Sequence, residues 1–264
     1  MKQLSILVDD AQEIGAMSVQ QDAMGISYRE DYSELGLMAV LSDGIGGMQS
    51  GERFSAIATE EMLKVFAAGD PEADLGDRLQ TAYDAARRRA LALVEQEHVD
   101  GGATVSAVLV HRGRCAFLSV GDSPIYLLRR GGLIQLNREQ TLGRLLDERA
   151  AFGLTLREEA QRNHYRAALL NNLCEREDMP CDRCPRPFVL RSGDKLALVS
   201  DGVSKTLDSR EIEQALAMAT PDAGGAHALI EAVRRKNKPR QDNYSAIVID
   251  VQGKHRIRRG GGSK

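Results

Sequence analysis

The sequence has few aromatic and few sulfur-containing side chains. Its 264 residues include no tryptophan, only 4% aromatic residues and four cysteines. The core therefore has to be built from leucine, valine, isoleucine, alanine and methionine. The apolar fraction of 42% is nevertheless typical of a soluble globular protein rather than a disordered one. Four cysteines are few for this length, and in a cytosolic protein they would remain reduced.

Long apolar runs and an excess of positive charge are also missing. The first apolar run, residues 4–8, is followed at once by Asp9-Asp10 and is too short for a signal peptide. No stretch approaches the roughly eighteen apolar residues that a membrane-spanning helix needs. The net charge of −3 argues against a nucleic-acid-binding protein, because such domains are usually basic. We therefore expect a cytoplasmic protein that binds neither membranes nor nucleic acids.

The cysteines leave two interpretations open. Cys174, Cys181 and Cys184 lie close together in the chain. The spacing Cys181-x-x-Cys184 is one that zinc accepts, with His164 as a candidate fourth ligand. A complete zinc site usually shows two such pairs, so we expect a reduced loop and retain structural zinc, or thiol oxidation, as the alternative. Cys115 lies in an alternating strand-like segment and is expected to be a small buried apolar residue.

The apolar periodicity indicates an α+β protein. It predicts strands at 3–9, 23–28, 35–42, 105–110, 114–120, 125–128, 133–136, 195–200 and 244–251, and helices at 51–67, 74–98, 209–219 and 223–236. Runs of strands alternate with runs of helices, without strict βαβ repetition, which is typical of layered α+β folds. Glycines separate the four strands between 105 and 136, so we expect these strands to form one antiparallel meander.

Two further segments complete the predicted organisation. Residues 139–179 are polar and lack a strong apolar stripe, so we expect a mobile surface insertion there. The segment 253–264 carries five lysines and arginines among glycines and is expected to be a flexible basic tail. The prediction is therefore a single domain, residues 1–252, that contains the insertion.

Two aspartates follow apolar strands in the same local sequence. The predicted strands 35–42 and 195–200 lead into Ser42-Asp43-Gly44 and Ser200-Asp201-Gly202. A strand that ends in Asp-Gly places a carboxylate at the sheet edge, where glycine lets the backbone turn sharply. If the two strands lay side by side, their carboxylates would supply fixed oxygen ligands for a divalent cation. The pattern therefore favours a metal-dependent hydrolase.

Three more aspartates, Asp22, Asp122 and Asp242, stand at the beginning or end of predicted strands. For Asp22 or Asp242 alone a turn residue is the better explanation, because aspartate favours turns, but the full set is harder to explain that way. Carboxylates without histidine or cysteine suit Mg²⁺ or Mn²⁺ rather than zinc. Paired ions of this kind activate water directly. No histidine lies near Ser42 or Ser200 in the sequence to make either serine a nucleophile.

These blocks together resemble the metal-dependent serine/threonine protein phosphatases of type 2C, the PPM family, in their short bacterial form. The resemblance rests on Asp43-Gly44-Ile45-Gly46-Gly47 with Gly51-Glu52, then Gly102-Ala103-Thr104, Gly121-Asp122-Ser123, Ser200-Asp201-Gly202 and Asp242-Asn243. Their order and spacing agree with the family from about residue 5 to 251. The resemblance implies a four-layer α-β-β-α sandwich, in which two antiparallel sheets pack face to face with a pair of helices outside each.

The resemblance also implies a set of metal ligands. In chain order they are Asp22, Asp43, Gly44, Asp122, Asp201 and Asp242. Asp43 would bridge two Mn²⁺ or Mg²⁺ ions, and the Gly44 carbonyl would bind the first of them. Asp201 and Asp242 would bind the second ion. Asp22 would act through metal-bound water, and Asp122 with Asp201 would hold a weaker third ion.

The implied reaction is hydrolysis of phosphoserine or phosphothreonine in proteins. The attacking group would be a metal-bridged hydroxide held through Asp43, Asp201 and Asp242. The implied partners are phosphorylated proteins, together with a cognate serine/threonine kinase whose signalling the reaction reverses. Residues 139–179 correspond to the family's flap, a segment that borders the active site.

The chain departs from the family pattern on the substrate side. Met17 stands where the family has an arginine that grips the phosphate, and Pro124 replaces the usual arginine after Gly-Asp-Ser. Residues 137–140 read Asn-Arg-Glu-Gln where the family has Thr-x-Asp-His. Loss of the arginine at position 17 removes a charge-assisted contact of about 1.5–3 kcal/mol, for which Arg29 or Arg53 are candidate replacements.

Two functional hypotheses follow. Because every implied metal-ligating aspartate is present, we expect an active phosphatase. The alternative is a weak or inactive phosphoprotein-binding module on the same fold, which the missing arginines would explain. No coiled-coil pattern stands out, so the sequence predicts no particular oligomeric state.

Overall fold

The computed structural model describes residues 4–45, 50–175, 179–220 and 224–253. In chain order its strands are β1 (Leu4–Glu13), β2 (Asp22–Ile26), β3 (Leu37–Ile45), β4 (Gly102–Ala103), β5 (Val105–His111), β6 (Arg114–Val120), β7 (Ile125–Arg129), β8 (Gly132–Gln135), β9 (Asp182–Arg183), β10 (Phe188–Val189), β11 (Lys195–Val199) and β12 (Tyr244–Gly253). Its helices are α1 (Gly51–Ala67), α2 (Leu75–Glu97), α3 (Leu142–Ala151), α4 (Arg157–Arg162), α5 (Asp201–Ser204), α6 (Ser209–Met218) and α7 (Gly225–Lys236), with a short 3₁₀ turn at Arg29–Ser33.

The strands form two antiparallel sheets. One has five strands in the order β1-β12-β11-β7-β8. The other has seven, in the order β10-β6-β5-β3-β2, with β4 beside β3 and β9 beside β6. The pair β1–β12 runs from Leu4 opposite Gly253 to Glu13 opposite Tyr244. The predicted strand 3–9 is therefore too short, because pairing with β12 continues β1 through residues that carry no apolar pattern.

The two sheets pack face to face through an apolar layer. On β3, Leu37, Ala39 and Leu41 point into this layer, whereas Met38 and Val40 point to the opposite face, because successive side chains of a strand alternate. Strands of both sheets contribute the other side chains of this layer, which are Val108, Val110, Phe117, Ile125, Leu127, Leu196, Leu198, Ile247, Ile249 and Val251. Burial on both faces explains why β3 reads as an unbroken apolar run.

A pair of helices covers the outer face of each sheet. Helices α1 and α2 pack on the seven-stranded sheet, with Phe54, Met62 and Leu79 fully buried. Helices α6 and α7 pack on the five-stranded sheet. Helix α6 begins with a capping box, in which Asp208 and Glu211 bond to each other's backbone N–H groups. The predicted four-layer α-β-β-α sandwich is confirmed.

The predicted meander of four strands is wrong. Strand β5 pairs with β6, and β7 pairs with β8, but β6 belongs to the seven-stranded sheet and β7 to the five-stranded one. Residues 121–124 carry the chain from one sheet to the other. Gly121 has a φ of 95°, in the region that favours glycine, so the backbone turns away from β6 there instead of closing a hairpin.

The predicted insertion contains α3 and α4, which bury few of their own side chains. Just beyond it, β9 and β10 add to the edge strand β6; their two residues each are too short to leave an apolar pattern. Residues 46–49 and the basic tail from 254 onward lie outside the described residues. In the part of the chain that is described, no helix is long and apolar enough to cross a membrane.

The cysteines are all free thiols. Cys115 is fully buried between the sheets, as predicted. Cys174, Cys181 and Cys184 are partly buried against the layer formed by α1 and α2. No cluster of zinc-binding side chains forms within the described ranges, so the zinc alternative gains no support there.

We predict that Leu198→Ala lowers the free energy of unfolding by about 3 kcal/mol, because this fully buried side chain would leave a cavity between the sheets. The matched control is Ile134→Ala on β8, where the side chain is 52% exposed; this change should stay within about 0.5 kcal/mol. Urea denaturation followed by circular dichroism measures both variants. Equal losses in the two would contradict the face-to-face core.

Candidate metal centre

Asp22 and Asp43 face each other across two neighbouring strands. They are register partners in the antiparallel pair β2–β3, at the start of one strand and near the end of the other. Thr104 fixes the backbone of Asp43 on its other side. Its hydroxyl accepts a hydrogen bond from the Asp43 N–H at 3.0 Å, and its own N–H donates to the Asp43 carbonyl at 2.8 Å. Both carboxylates therefore leave the sheet at the same end.

Asp201 comes from the opposite sheet. It follows β11 and is the first residue of the short helix α5. The strands leading to Asp43 and Asp201 are not neighbours in one sheet, because β3 and β11 belong to different sheets. The two sheets face each other, and the Asp201 carboxylate nevertheless lies near enough to Asp43 for its charge to raise the pKa of Asp43.

Asp22 connects the two sheets at this end. Its Oδ2 accepts hydrogen bonds from Ser200 Oγ at 2.8 Å and from Ser245 Oγ at 2.7 Å. Ser200 Oγ in turn accepts one from the Ser245 N–H at 3.0 Å. The other carboxylate oxygen of Asp22, Oδ1, is buried without a hydrogen-bond partner among the described residues. A buried polar oxygen without a donor is costly, and this one marks a place where a cation or a water would be favourable.

Burial and mutual repulsion raise the pKa values of these carboxyl groups. Burial raises the pKa of Asp22 to about 6; the two serine hydroxyls oppose the rise, and the charges of Asp201 and Asp242 add to it. Burial also raises the pKa of Asp43 well above its usual value, with further contributions from Asp22, Asp201 and Asp122. Three further acidic groups, Asp122, Asp201 and Asp242, lie within electrostatic reach of Asp22 or Asp43, so this end of the sandwich is short of positive charge.

Lys205 brings a positive charge to the cluster. It follows Asp201 by four residues, and its ammonium forms an ion pair with Asp201 and another, at 3.4 Å, with Asp122 Oδ2. Burial raises the pKa of Asp122, and the charge of Lys205 opposes that rise. Burial lowers the pKa of Lys205, but the carboxylates of Asp201 and Asp122 raise it by more, so the net shift is upward.

The crossover between the sheets positions Asp122. The Gly121 N–H donates to Gln140 Oε1 at 3.1 Å, and the Gly121 carbonyl accepts from the Gln140 N–H at 2.8 Å. The side-chain amide of Asn137 donates to the Ser123 carbonyl at 3.1 Å. The block that departs from the family pattern, residues 137–140, therefore holds the backbone on both sides of Asp122.

Asp242 lies at the exposed rim, beside the loop that contains Met17. Its carboxylate accepts a hydrogen bond from the Asn243 N–H at 2.9 Å. Gly15 has a φ of 65°, and a Cβ there would lie 2.4 Å from the Asp242 carbonyl oxygen, so a larger residue would push the loop away from the segment that leads into β12. The Asn243 side chain donates to the Ile14 carbonyl at 2.9 Å. The side chain of Met17 is 44% exposed on this loop.

Gly44 allows helix α1 to approach the carboxylates. A Cβ on Gly44 would lie 2.1 Å from the Gly51 carbonyl oxygen, and a Cβ on Gly51 would lie 2.8 Å from the Gly44 carbonyl oxygen. A side chain at either position would push the start of α1 away from β3. Glu52, the next residue of the helix, has a buried Oε2 without a hydrogen-bond partner in the described part of the chain.

The carboxylates of the described residues lie too far apart for three of them to bind one metal ion together. As they stand, no three histidine, cysteine, aspartate or glutamate side chains of the described ranges converge closely enough to hold an ion. Lys205 engages Asp201, and Asp242 is exposed. The donor chemistry nevertheless fits, because carboxylate and carbonyl oxygens suit Mg²⁺ or Mn²⁺. The unpartnered Oδ1 of Asp22 is an oxygen already free to accept a cation or its water.

Arg29 and Arg53 are the candidate replacements for the missing arginine, and neither bonds to the aspartates in the hydrogen bonds and ion pairs described. Both guanidinium NH groups of Arg53 bond to the Glu97 carboxylate at 2.7 Å. Arg29 follows β2 at the end opposite Asp22, and a strand of five residues is about 16 Å long.

Sequence reasoning missed Ser245 and Lys205. Ser245 reads as an ordinary polar residue of a strand, and only its register next to Ser200 reveals its bond to Asp22. For Lys205 a signal was present: it follows Asp201 by four residues at the start of a helix, the spacing that brings opposite charges together.

Comparison with known proteins agrees with the geometry. A family model described as protein phosphatase 2C matches residues 11–229. The serine/threonine protein phosphatase PstP of Mycobacterium tuberculosis is 33% identical over 220 residues, which make up 81% of this chain and 40% of PstP. This chain thus spans about 40% of the length of that relative.

Solved structures share the fold. A crystal structure of PstP from Mycobacterium tuberculosis matches with a TM-score of 0.78 at 26% identity, covering 94% of this chain and 99% of that one. The catalytic domain of PstP in complex with two manganese ions matches with a TM-score of 0.76 at 27% identity, covering 95% and 100% of the two chains. Since the family model covers most of the sequence, the chain belongs to the protein phosphatase 2C family.

Proposed function

We propose that this protein hydrolyses phosphoserine and phosphothreonine in proteins with the help of two Mn²⁺ or Mg²⁺ ions. The observation that carries the proposal is the meeting of aspartates from both sheets at one end of the sandwich, with a buried, unpartnered oxygen on Asp22 and raised pKa values on Asp22 and Asp43. Membership of the family and the manganese ions of a solved relative support the same reaction.

The residues proposed to hold the ions are Asp43, the carbonyl of Gly44, Asp201 and Asp242, with Asp22 bound through water. When bound, such ions supply a water nucleophile at neutral pH and neutralise charge on the phosphate. A tethered protein nucleophile is then unnecessary. The substrates would be phosphoproteins, so the activity would reverse the action of a serine/threonine kinase.

The chain's own residues prepare this site. Ser200 and Ser245 occupy one oxygen of Asp22 and fix its orientation, which leaves the other oxygen free. Thr104 bonds to both backbone groups of Asp43, so that carboxylate cannot move with a flexible loop. The close approach of Gly44 and Gly51 keeps the start of α1 against the site.

The proposed domain is residues 1–252, and the proposed flap is 139–179. A groove of about 560 Å³ supports this assignment of the flap. It runs from Asp122 and Lys205 on the sandwich to Arg144 and Arg166 on the segment 139–179. A phosphorylated segment of a substrate would lie along this groove, with the flap residues selecting among substrates.

We predict that Asp43→Asn lowers phosphatase activity by more than about 100-fold. Replacing a residue that only bonds to a metal ligand typically lowers metal affinity or activity by about 10–100-fold, and Asp43 is proposed to be a ligand itself. The assay is Mn²⁺-dependent phosphate release from a phosphothreonine peptide and from an aryl phosphate, with chelator abolishing it. Asp77→Asn, on the exposed first turn of α2, is the matched control and should retain full activity. Binding of the phosphopeptide by the unmodified protein without turnover would instead favour the inactive binding module.

We predict that Mn²⁺ stabilises the protein more at about pH 7 than at about pH 5. The pKa of Asp22 is about 6 in the folded protein and 3.8 without the fold. Between pH 3.8 and about pH 6, the Asp22 carboxyl is therefore protonated in the folded protein but ionised in the unfolded chain. As the pH rises through this range, the metal-free protein loses up to about 3 kcal/mol of its free energy of unfolding through Asp22. Below about pH 6 a binding metal ion has to displace the proton of Asp22, which weakens binding. Above about pH 6 the carboxylate is already ionised, so the ion binds and stabilises the protein more.

Thermal unfolding of chelated and Mn²⁺-loaded protein, at both pH values, measures this effect. Asp22→Asn should reduce the difference between the two pH values, because an ion then has one proton fewer to displace; Asp43, whose pKa is also raised, accounts for the remainder. A shift of the unfolding midpoint by Mn²⁺ that is the same at both pH values in the unmodified protein would contradict the proposed role of Asp22.

We predict that Met17→Arg raises kcat/KM for a phosphothreonine peptide by about 10- to 100-fold, because a guanidinium on this exposed loop restores a charge-assisted contact with the phosphate. Met17→Gln has a similar length and no charge and serves as the control. Steady-state kinetics at fixed Mn²⁺ measure both variants. An unchanged kcat/KM in Met17→Arg would show that another group already grips the phosphate.

A further inference from the structure

Lys205 lies between the two carboxylates that the family resemblance assigns to a third metal ion. Its ammonium is paired with Asp201 and is 3.4 Å from Asp122 Oδ2. The two aspartates come from different sheets, because Asp122 lies on the crossover after β6 and Asp201 follows β11. Lys205 therefore bridges them from a single position.

The backbone of Lys205 is fixed. Its N–H donates to the Asp201 carbonyl at 2.7 Å, which completes the turn of α5. Its carbonyl accepts a hydrogen bond from Lys238 Nζ at 2.8 Å. Because Asp201 and Lys205 are one helical turn apart, the fixed backbone holds the Lys205 side chain beside the carboxylates of Asp201 and Asp122.

The simpler interpretation is an ordinary surface ion pair, which contributes little. The Lys205 side chain is indeed 55% exposed, but its partners are not, since Asp122 is 7% and Asp201 16% exposed. Charges that lie mostly out of water interact more strongly than exposed ones. Removing the ammonium would leave two carboxylates close to each other and to Asp43, with no counter-charge among the contacts described.

We propose that the ammonium of Lys205 takes the place of a third metal ion, so that the centre of this protein binds two ions and not three. This inference rests on the proposed function, since it concerns the same carboxylates. A third divalent ion at Asp122 and Asp201 would have to displace a tethered cation, whose local concentration stays high because it belongs to the same chain. If both cations remained, they would repel each other.

The ion pair between Lys205 and Asp201 is compatible with binding of the two proposed ions. Lys205 pairs with Oδ2 of Asp201, so the other oxygen of that carboxylate is left for the second ion. Asp43, Gly44 and Asp242 make no contact with Lys205 among those described. The ion that is excluded is therefore the one that would need Asp122.

Mn²⁺ binding to the full chain tests the inference without measuring activity. Isothermal titration calorimetry, together with electron paramagnetic resonance of free Mn²⁺, gives the number of ions bound. We expect two ions in the unmodified protein, and a third, at least about tenfold weaker than the other two, in Lys205→Gln. Adding Asp122→Asn to Lys205→Gln should remove the third ion again. Lys64→Gln, which loses a surface ion pair with Glu61, is the matched control and should still bind two.

Lys205→Met, which keeps most of the unbranched side chain but not its charge, repeats the test if the glutamine variant melts early. Three ions in the unmodified protein would overturn this inference and leave the proposed function standing. Two ions in a folded Lys205→Gln or Lys205→Met would also overturn it. No Mn²⁺ binding to the unmodified protein would overturn the proposed function, and this inference with it.

Discussion

The concentration of negative charge at one end of the sandwich is the constraint on which the site depends. Asp22 and Asp43 leave one sheet and Asp201 leaves the other, so their carboxylates meet only when the apolar layer between the sheets has formed. The raised pKa of Asp22 corresponds to at most about 3 kcal/mol at neutral pH. One fully buried leucine or isoleucine contributes about 1.5–3 kcal/mol, and this layer contains several. Packing can therefore hold together groups that repel each other.

Several neutral contacts turn this charge into a defined arrangement. The serines at the ends of β11 and β12 hold one oxygen of Asp22, and Thr104 holds the backbone of Asp43. Glycine at positions 15 and 44 lets a loop and a helix approach where a Cβ would collide. None of these residues carries a charge. They orient the carboxylates, whereas the charge balance depends on Lys205 and on the cations that the site is proposed to bind.

The sequence was sufficient to predict the layers of the fold, but it could not show how the predicted aspartates meet, and their role as metal ligands stays a prediction. Strand β3 could be predicted because its residues are buried on both faces, and α1 and α2 because their apolar side chains recur at helical spacing. The apolar pattern of β6 and β7 is the same whether the two strands pair with each other or belong to different sheets. The sequence therefore could not show that the chain changes sheets at Gly121. For the same reason the sequence could not show that Asp43 and Asp201 come from different sheets.

The roles of individual polar residues were the least predictable. The apparent losses at residues 137–140 are positions that hold the backbone around Asp122, which only the hydrogen bonds of Asn137 and Gln140 reveal. Lys205 became visible once the crossover had brought Asp122 next to Asp201. The contacts of Ser200 with Asp22 and of Lys205 with Asp122 join residues more than 60 positions apart, and no local pattern records them.

Anomalous diffraction from crystals grown with Mn²⁺ tests the central claim most directly, because it locates each ion without reference to activity. The account predicts two manganese peaks beside Asp43, one of them shared with Asp201 and Asp242. It also predicts no peak between Asp122 and Lys205. A map with no manganese at this end of the sandwich, in protein that is otherwise folded as described, would contradict it.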